Sequence, residues 1–205
     1  MTKIKICGLK SDEDIKIINT LLPDYAGFIL SKGFSRTVEF ERFKALSAMT
    51  VRGIKKTGVF VNEPVDSVLK FAPYLDALQL HGEETAQYAE ELKRRTQLLI
   101  IKAVRAKSPQ DIKAYENFPC DYLLIDAYSK GRYGGTGKTA DVDIIKKSGI
   151  SRPFFIAGGI HSGNAEEIIN SLQPYGVDSS SMLETDNAKD YNKTKALIDT
   201  VRQLN

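Results

Sequence analysis

The chain has 205 residues, 42% of them hydrophobic, which is enough apolar material for one core and predicts a single domain over residues 1–205. A net charge of +3 is too close to balance to argue for nucleic acid or an acidic membrane surface as a partner. No apolar run approaches the roughly 18 residues of a membrane span, and two cysteines, Cys7 and Cys120, stand in no metal-ligand spacing. With no charged-then-apolar leader at the N-terminus, the chain is expected to be cytoplasmic.

Residues 3–7 (KIKIC) alternate with period two and predict a strand that Gly8 ends. Ser11 is a good N-cap with Asp14 at its N3 position, and Ile15, Ile18, Leu21 and Leu22 form a helical face that Pro23 stops. Residues 25–30 predict a second strand, followed by a loop carrying Arg36 and a helix over 39–49. The third strand is expected at 55–61, with Asn62 and Pro64 opening a helix through Phe71. A fourth strand covers 77–81 (ALQLH), and 83–95 is a charged helix. Residues 98–104 predict the fifth strand, and 109–115 a short, weak helix.

The sixth strand, Tyr122-Leu123-Leu124-Ile125, is an apolar run that ends on Asp126. A carboxylate closing a buried strand is costly unless it meets water, a ligand or a partner, so Asp126 marks an open end. Residues 131–137 (GRYGGTG) hold four glycines in seven positions and predict a glycine-rich flap, with Gly134, Gly135, Thr136 and Gly137 free to bring backbone N–H groups close to an anion. A short helix is expected at 141–147, a seventh strand at 153–157 running into Gly158 and Gly159, and a helix capped by Asn164 through Leu172. Residues 176–181 predict the eighth strand and 192–204 a closing helix.

Sustained strand–helix alternation implies a parallel sheet with right-handed crossovers. Eight units, about 26 residues each, favour closure into a (β/α)8 TIM barrel with short or weak helices after strands five and six. Period two then places Lys5 with Cys7, Gln79 with His81, Leu124 with Asp126, and Asp178 with Ser180 on the inner surface. A buried Lys5 needs a partner, and Asp178 or Gln79 is expected to supply it. Cys7, Arg36, His81, Asp126, Gly158–Gly159 and Ser180–Ser181 all fall at strand C-terminal ends, the rim where barrel enzymes carry their sites.

Glycines and serines after the last two strands suit a phosphate held by backbone N–H groups and hydroxyls. Cys7 is a candidate nucleophile or carbon base as a thiolate, with Asp126 the candidate acid. Arg36 offers a planar fork for a carboxylate. Cys120, ahead of the sixth strand, reads as structural. No His, Cys or acidic spacing indicates a catalytic metal, and residues 131–139 do not meet the P-loop pattern, so no nucleotide is indicated.

KIKICG at the start, GVFVN (58–62), QLHGEE (79–84), IKAVR (101–105), the IDA and YGGTGKT pair, AGGI and VDSSSMLET (177–185) resemble the phosphoribosylanthranilate isomerase family of tryptophan biosynthesis. The resemblance runs in order from residue 3 to about 199. It implies a cofactor-independent barrel that carries out an Amadori rearrangement, acting on a phosphorylated small molecule as a monomer or homodimer. By the same resemblance Cys7 is the general base, Asp126 the general acid and Arg36 the contact to the anthranilate carboxylate. Asp178 and His81 would lie near the substrate, while Gly158, Gly159, Ser180 and Ser181 would hold its phosphate. Two positions depart from the family's usual pattern: Phe34 replaces a serine two before Arg36, and Met182 replaces the glycine after Ser180–Ser181. Met182 can still offer its N–H if its φ is negative. The alternatives are a histidine-pathway isomerase on the same scaffold, which uses a carboxylate where Cys7 stands, an indole-glycerol-phosphate synthase, for which Lys102 is the comparable lysine, and a non-catalytic phosphosugar-binding barrel.

Overall fold

A computed structural model describes residues 1–127 and 142–204. Eight parallel strands close on themselves: β1 (Lys3–Cys7), β2 (Tyr25–Ile29), β3 (Lys55–Phe60), β4 (Ala77–Leu80), β5 (Leu99–Ala106), β6 (Tyr122–Ala127), β7 (Phe154–Ala157) and β8 (Gly176–Ser179), with β8 pairing back to β1. The helices α1 (Asp12–Leu21), α2 (Phe40–Met49), α3 (Val65–Leu69), α4 (Ala86–Arg95), α5 (Pro109–Lys113), α6 (Val142–Ser148), α7 (Ala165–Leu172) and α8 (Tyr191–Gln203) alternate with them. This is the expected (β/α)8 barrel. The expected flap, with Gly134, Gly135, Thr136 and Gly137, lies outside the described residues.

Local chemistry sets the element ends. Ser11 and Asp14 form a reciprocal capping box at α1, and Leu22 turns left-handed at φ 53° to end it. Helices α5 and α6 are short as expected, and α3 is shorter than expected: it stops at Leu69, and a separate 3-10 turn covers Ala72–Tyr74. Asn62 does not open that helix; it takes a left-handed turn at φ 54°, and Pro64 precedes α3. Asn164 stands at the N-cap position of α7 as expected, but its side chain makes no capping bond to the helix. Its side chain accepts from the His161 N–H at 2.9 Å and donates to the Gly159 carbonyl at 2.9 Å, so it braces the β7–α7 turn. The eighth strand ends at Ser179, and Ser180 leaves it at φ −134°, ψ −92°. A short antiparallel hairpin follows, β9 (Glu184–Thr185) and β10 (Ala188–Lys189), which the strand and helix periodicities do not reveal.

Burial follows strand parity. Outward residues such as Ile6, Phe28, Leu78 and Leu123 pack with Ile18, Phe43, Leu92 and Leu197 of the helices in one core layer. Inward residues form a second cluster of Tyr25, Ile101, Leu124 and Phe155, packed with Tyr122 and Tyr175. Tyr122 stacks on Tyr175 at 4.2 Å, Tyr25 meets Phe155 edge-on at 5.3 Å, and the Tyr25 and Tyr175 hydroxyls are 3.0 Å apart. Such ring pairs add about 0.5–1.5 kcal/mol each beyond area burial, so they seal the N-terminal end of the barrel and leave polar groups to the other end.

Candidate active site

The C-terminal ends of the strands enclose a cleft of about 720 Å³, including its open mouth. Its lining includes Cys7, Arg36, His81, Asp126, Gly158, Gly159, Asp178, Ser180 and Ser181. Every candidate that the strand ends point to and that lies in the described residues therefore meets in one place. Gln79 joins them, and so do both departing residues, Phe34 and Met182.

Cys7 ends β1 opposite Gly27, and a Cβ on Gly27 would fall 2.7 Å from the Cys7 sulfur. Only a residue without a side chain leaves the thiol that space. Burial pushes the Cys7 thiol up, while the Lys5 ammonium beside it pulls the other way. Lys5 donates to Asp178 Oδ1 at 2.9 Å, the pairing expected from parity. Burial would lower the Lys5 ammonium, but the charges of Asp178 and Cys7 outweigh it and hold Lys5 above its ordinary value. A fixed positive charge is thus stationed beneath the thiol.

Across the cleft, His81 stands between Gln79 and Asp126. Its Nδ1 is 2.8 Å from Gln79 Nε2, and its Nε2 is 3.4 Å from Asp126 Oδ2. With the Gln79 amide donating to Nδ1, the ring proton sits on Nε2 and faces the carboxyl group. His81 Nε2 makes no hydrogen bond there, and both His81 and Asp126 line the cleft.

Arg36 reaches in from the β2–α2 loop. Thr37 braces that loop, accepting from the Phe34 N–H at 3.2 Å and donating to the Ser31 carbonyl at 2.6 Å. The guanidinium makes two 2.8 Å bonds to Glu184, through Nε and one terminal nitrogen. Glu184 also accepts from Lys189 at 2.7 Å. Neither Glu184 nor Lys189 is evident from strand or helix periodicity, although the Asp186–Asn187 pair between them, both at positive φ (53° and 61°), is a two-residue hairpin turn signal. Burial raises the Glu184 carboxyl, yet the hydrogen bonds from Arg36 and Lys189 and their charges hold it down at about 2.

After β7, Gly158 and Gly159 take φ of 86° and 62°, which turns the chain sharply at the rim. Met182 is not among the residues with positive φ, so methionine is tolerated where the family's usual glycine stands. Gly8 has φ +80°, and a Cβ there would lie 2.6 Å from Arg36 Cδ and 2.9 Å from Ser180 Oγ. Arg36 and Ser180 therefore both come close to the same glycine.

Lys102, the lysine comparable to a synthase's, and Cys120, read as structural, both lie away from the cleft. Lys102 points outward from β5; its fully buried ammonium donates to Glu84 at 2.9 Å and to the Gly82 carbonyl at 2.6 Å, so it braces the β4–α4 turn. Cys120 lies buried under Arg152, which donates to its carbonyl at 2.5 Å, and burial pushes its thiol up. Among the described residues no cluster of His, Cys, Asp or Glu could hold a metal ion.

A closed (β/α)8 barrel with a thiol, a carboxyl group, an arginine fork and a glycine–serine turn on one rim is the frame of an enzyme that handles small anionic substrates. The chain belongs to the N-(5'phosphoribosyl)anthranilate (PRA) isomerase family, whose model matches residues 4–200. It is 42% identical to the N-(5'-phosphoribosyl)anthranilate isomerase of Thermoanaerobacter sp. (strain X514) over the whole of both chains. Among solved structures it is similar to phosphoribosyl anthranilate isomerase from Thermotoga maritima, with 28% identity, a TM-score of 0.87, and 99% of this chain and 100% of that one covered. A further similar structure, at 26% identity and TM-score 0.83, covering 99% of this chain and 100% of that one, is a phosphoribosyl anthranilate isomerase in complex with reduced 1-(o-carboxyphenylamino)-1-deoxyribulose 5-phosphate.

Proposed function

We propose that the chain converts N-(5-phosphoribosyl)anthranilate to 1-(2-carboxyphenylamino)-1-deoxyribulose 5-phosphate, an Amadori rearrangement in tryptophan biosynthesis. Family membership and the analogue bound by a similar enzyme support this substrate. The observation that carries the residue roles is that Cys7, Asp126 and Arg36 line one cleft at the barrel's C-terminal rim. Asp126 protonates the furanose ring oxygen, the bond from that oxygen to C1 breaks, and the anthranilate nitrogen lone pair forms the iminium. Cys7, whose thiol burial pushes up while the Lys5 ammonium opposes that push, takes the proton from C2 as the thiolate. The C2–H electrons become the C1–C2 double bond and the nitrogen recovers its pair, giving an enolamine. Gain of a proton at C1 and loss of the C2 hydroxyl proton yield the ketone. The iminium is the electron sink, so the scheme calls for neither metal nor pyridoxal.

In this reading Arg36 receives the anthranilate carboxylate, His81 and Asp178 flank the sugar, and Gly158, Gly159, Ser180 and Ser181 hold the phosphate. Residues 1–205 act as one domain, monomeric or homodimeric, in the cytoplasm. No helix among the described residues is long and apolar enough to cross a membrane.

The test is loss of anthranilate-type fluorescence when purified protein meets freshly formed phosphoribosylanthranilate. Turnover by the parent chain, and a drop of about 10²–10⁴-fold in Cys7→Ser with unchanged circular dichroism, are expected. No turnover by the parent refutes the activity. Near-normal turnover in Cys7→Ser returns Cys7 to the role of a small buried side chain.

A further inference from the structure

Glu184 and Lys189 face each other across the β9–β10 hairpin, so their side chains share one face. That face is turned to Arg36 and Ser180, which line the cleft. Glu184 takes one edge of the Arg36 guanidinium with two hydrogen bonds of 2.8 Å. Lys189, its side chain only 1% exposed, reaches Glu184 at 2.7 Å and the Ser180 carbonyl at 3.1 Å. The hairpin is itself anchored: the Lys189 N–H donates to Asp14 at 3.1 Å, and Lys193 donates to the Glu184 carbonyl at 2.7 Å.

We propose that Glu184 and Lys189 are positioning residues that set both anion-binding ends of the cleft at once. The inference rests on the function proposed above and extends it to residues that touch no substrate atom. Two physical arguments carry it. A guanidinium has five N–H donors in a fixed plane, and Glu184 uses two of them on one edge. The remaining terminal fork keeps the geometry for a second carboxylate, and Glu184 fixes the direction in which it points. A trans amide turns its C=O and N–H opposite ways, so Lys189, by holding the Ser180 carbonyl, aims the Ser181 N–H away from itself. Ser181 and Met182 line the cleft on that side.

The charges also balance for this purpose. Arg36 and Lys189 carry two positive charges and Glu184 one negative, so the triad keeps one positive charge for an incoming anion. Burial pushes the Lys189 ammonium down, and the Glu184 carboxylate opposes that push.

Three proteins are compared by calorimetry with inorganic phosphate and with anthranilate, and by steady-state kinetics: the parent chain, Lys189→Met and Glu184→Gln. Charge-assisted bonds of this kind correspond to about 10- to 100-fold in an equilibrium constant. Lys189→Met is expected to weaken phosphate binding and raise KM by about that factor while kcat stays within about threefold. Glu184→Gln is expected to weaken anthranilate binding more than phosphate binding. A merely structural hairpin would lower the melting temperature and leave KM and both affinities of the folded protein unchanged; that result overturns the proposal, as does a fall in kcat at constant KM. If Lys189→Met does not fold, Glu184→Gln decides on the same criteria. A parent chain that binds both anions yet turns over no substrate refutes the isomerase reading, and the affinities of the variants still decide the positioning role.

Discussion

Lys5→Met removes the ammonium that faces Asp178 and Cys7 while keeping a side chain of similar length. The Lys5 side chain is 0% exposed and that of Asp178 9% exposed, so water cannot replace the lost partner. Stranding one member of such a buried pair costs about 3–5 kcal/mol. With an unfolding entropy of about 2.1 cal/mol/K per residue over 205 residues, roughly 0.43 kcal/mol/K in total, that cost lowers Tm by about 7–12 °C. The double variant Lys5→Met/Asp178→Leu removes both charges, and it should recover most of the loss because an apolar pair avoids the desolvation penalty. Calorimetric melts of the parent chain and of both variants supply the comparison. A second readout is chemical: without the Lys5 charge, burial pushes the Cys7 thiol further up, and its alkylation by iodoacetamide at pH 8 should slow. A single variant melting within about 2 °C of the parent, with unchanged alkylation, would refute the account of Lys5 as the buried counter-charge of this rim.

The Arg36–Glu184–Lys189 triad should show itself in acid. The Glu184 carboxyl is held at about 2 in the folded chain against an ordinary 4.5, so its stabilising effect is complete above about pH 4.5 and is lost as pH falls towards 2. Glu184→Gln lacks that titration, and its stability, followed by urea unfolding from pH 7 to 2, should decline less steeply over the acid limb; parallel curves would show that Glu184 is not held by the two cations. Gly8→Ala places a methyl group at φ +80° and 2.6 Å from Arg36 Cδ. It should cost about 1–3 kcal/mol and raise KM together, measured by denaturant unfolding and kinetics; a neutral outcome in both would mean that the rim is slack there.

Strand parity made the inner surface legible. A strictly alternating KIKIC places Lys5 and Cys7 on one side with no knowledge of the rest of the chain, and an Asp at the end of an apolar run can lie only at a wet end. What pairs with what was less accessible. The partner of Arg36 lies 148 residues away on a hairpin whose strands are two residues long, too short for periodicity to register. Its one local trace is the Asp186–Asn187 turn. Asn164 is a related case: it holds the N-cap position that its type suggests, but its side chain ties the Gly159 carbonyl to the His161 N–H instead of bonding the helix. Lys102 shows parity working in the other direction, since its place between Ile101 and Ala103, both inside, sends it to the outer layer.

The ring-lined base of the cylinder has a bearing on turnover. Tyr25, Tyr122, Phe155 and Tyr175 close it so that a phosphosugar has no passage through the axis. Substrate and product then share one doorway, and each departing ketone has to clear it before the next sugar arrives. Traffic at the mouth, set by the loops around Arg36 and Gly158, becomes a natural ceiling on throughput, and changes in those loops are where faster or slower versions of this catalyst would arise.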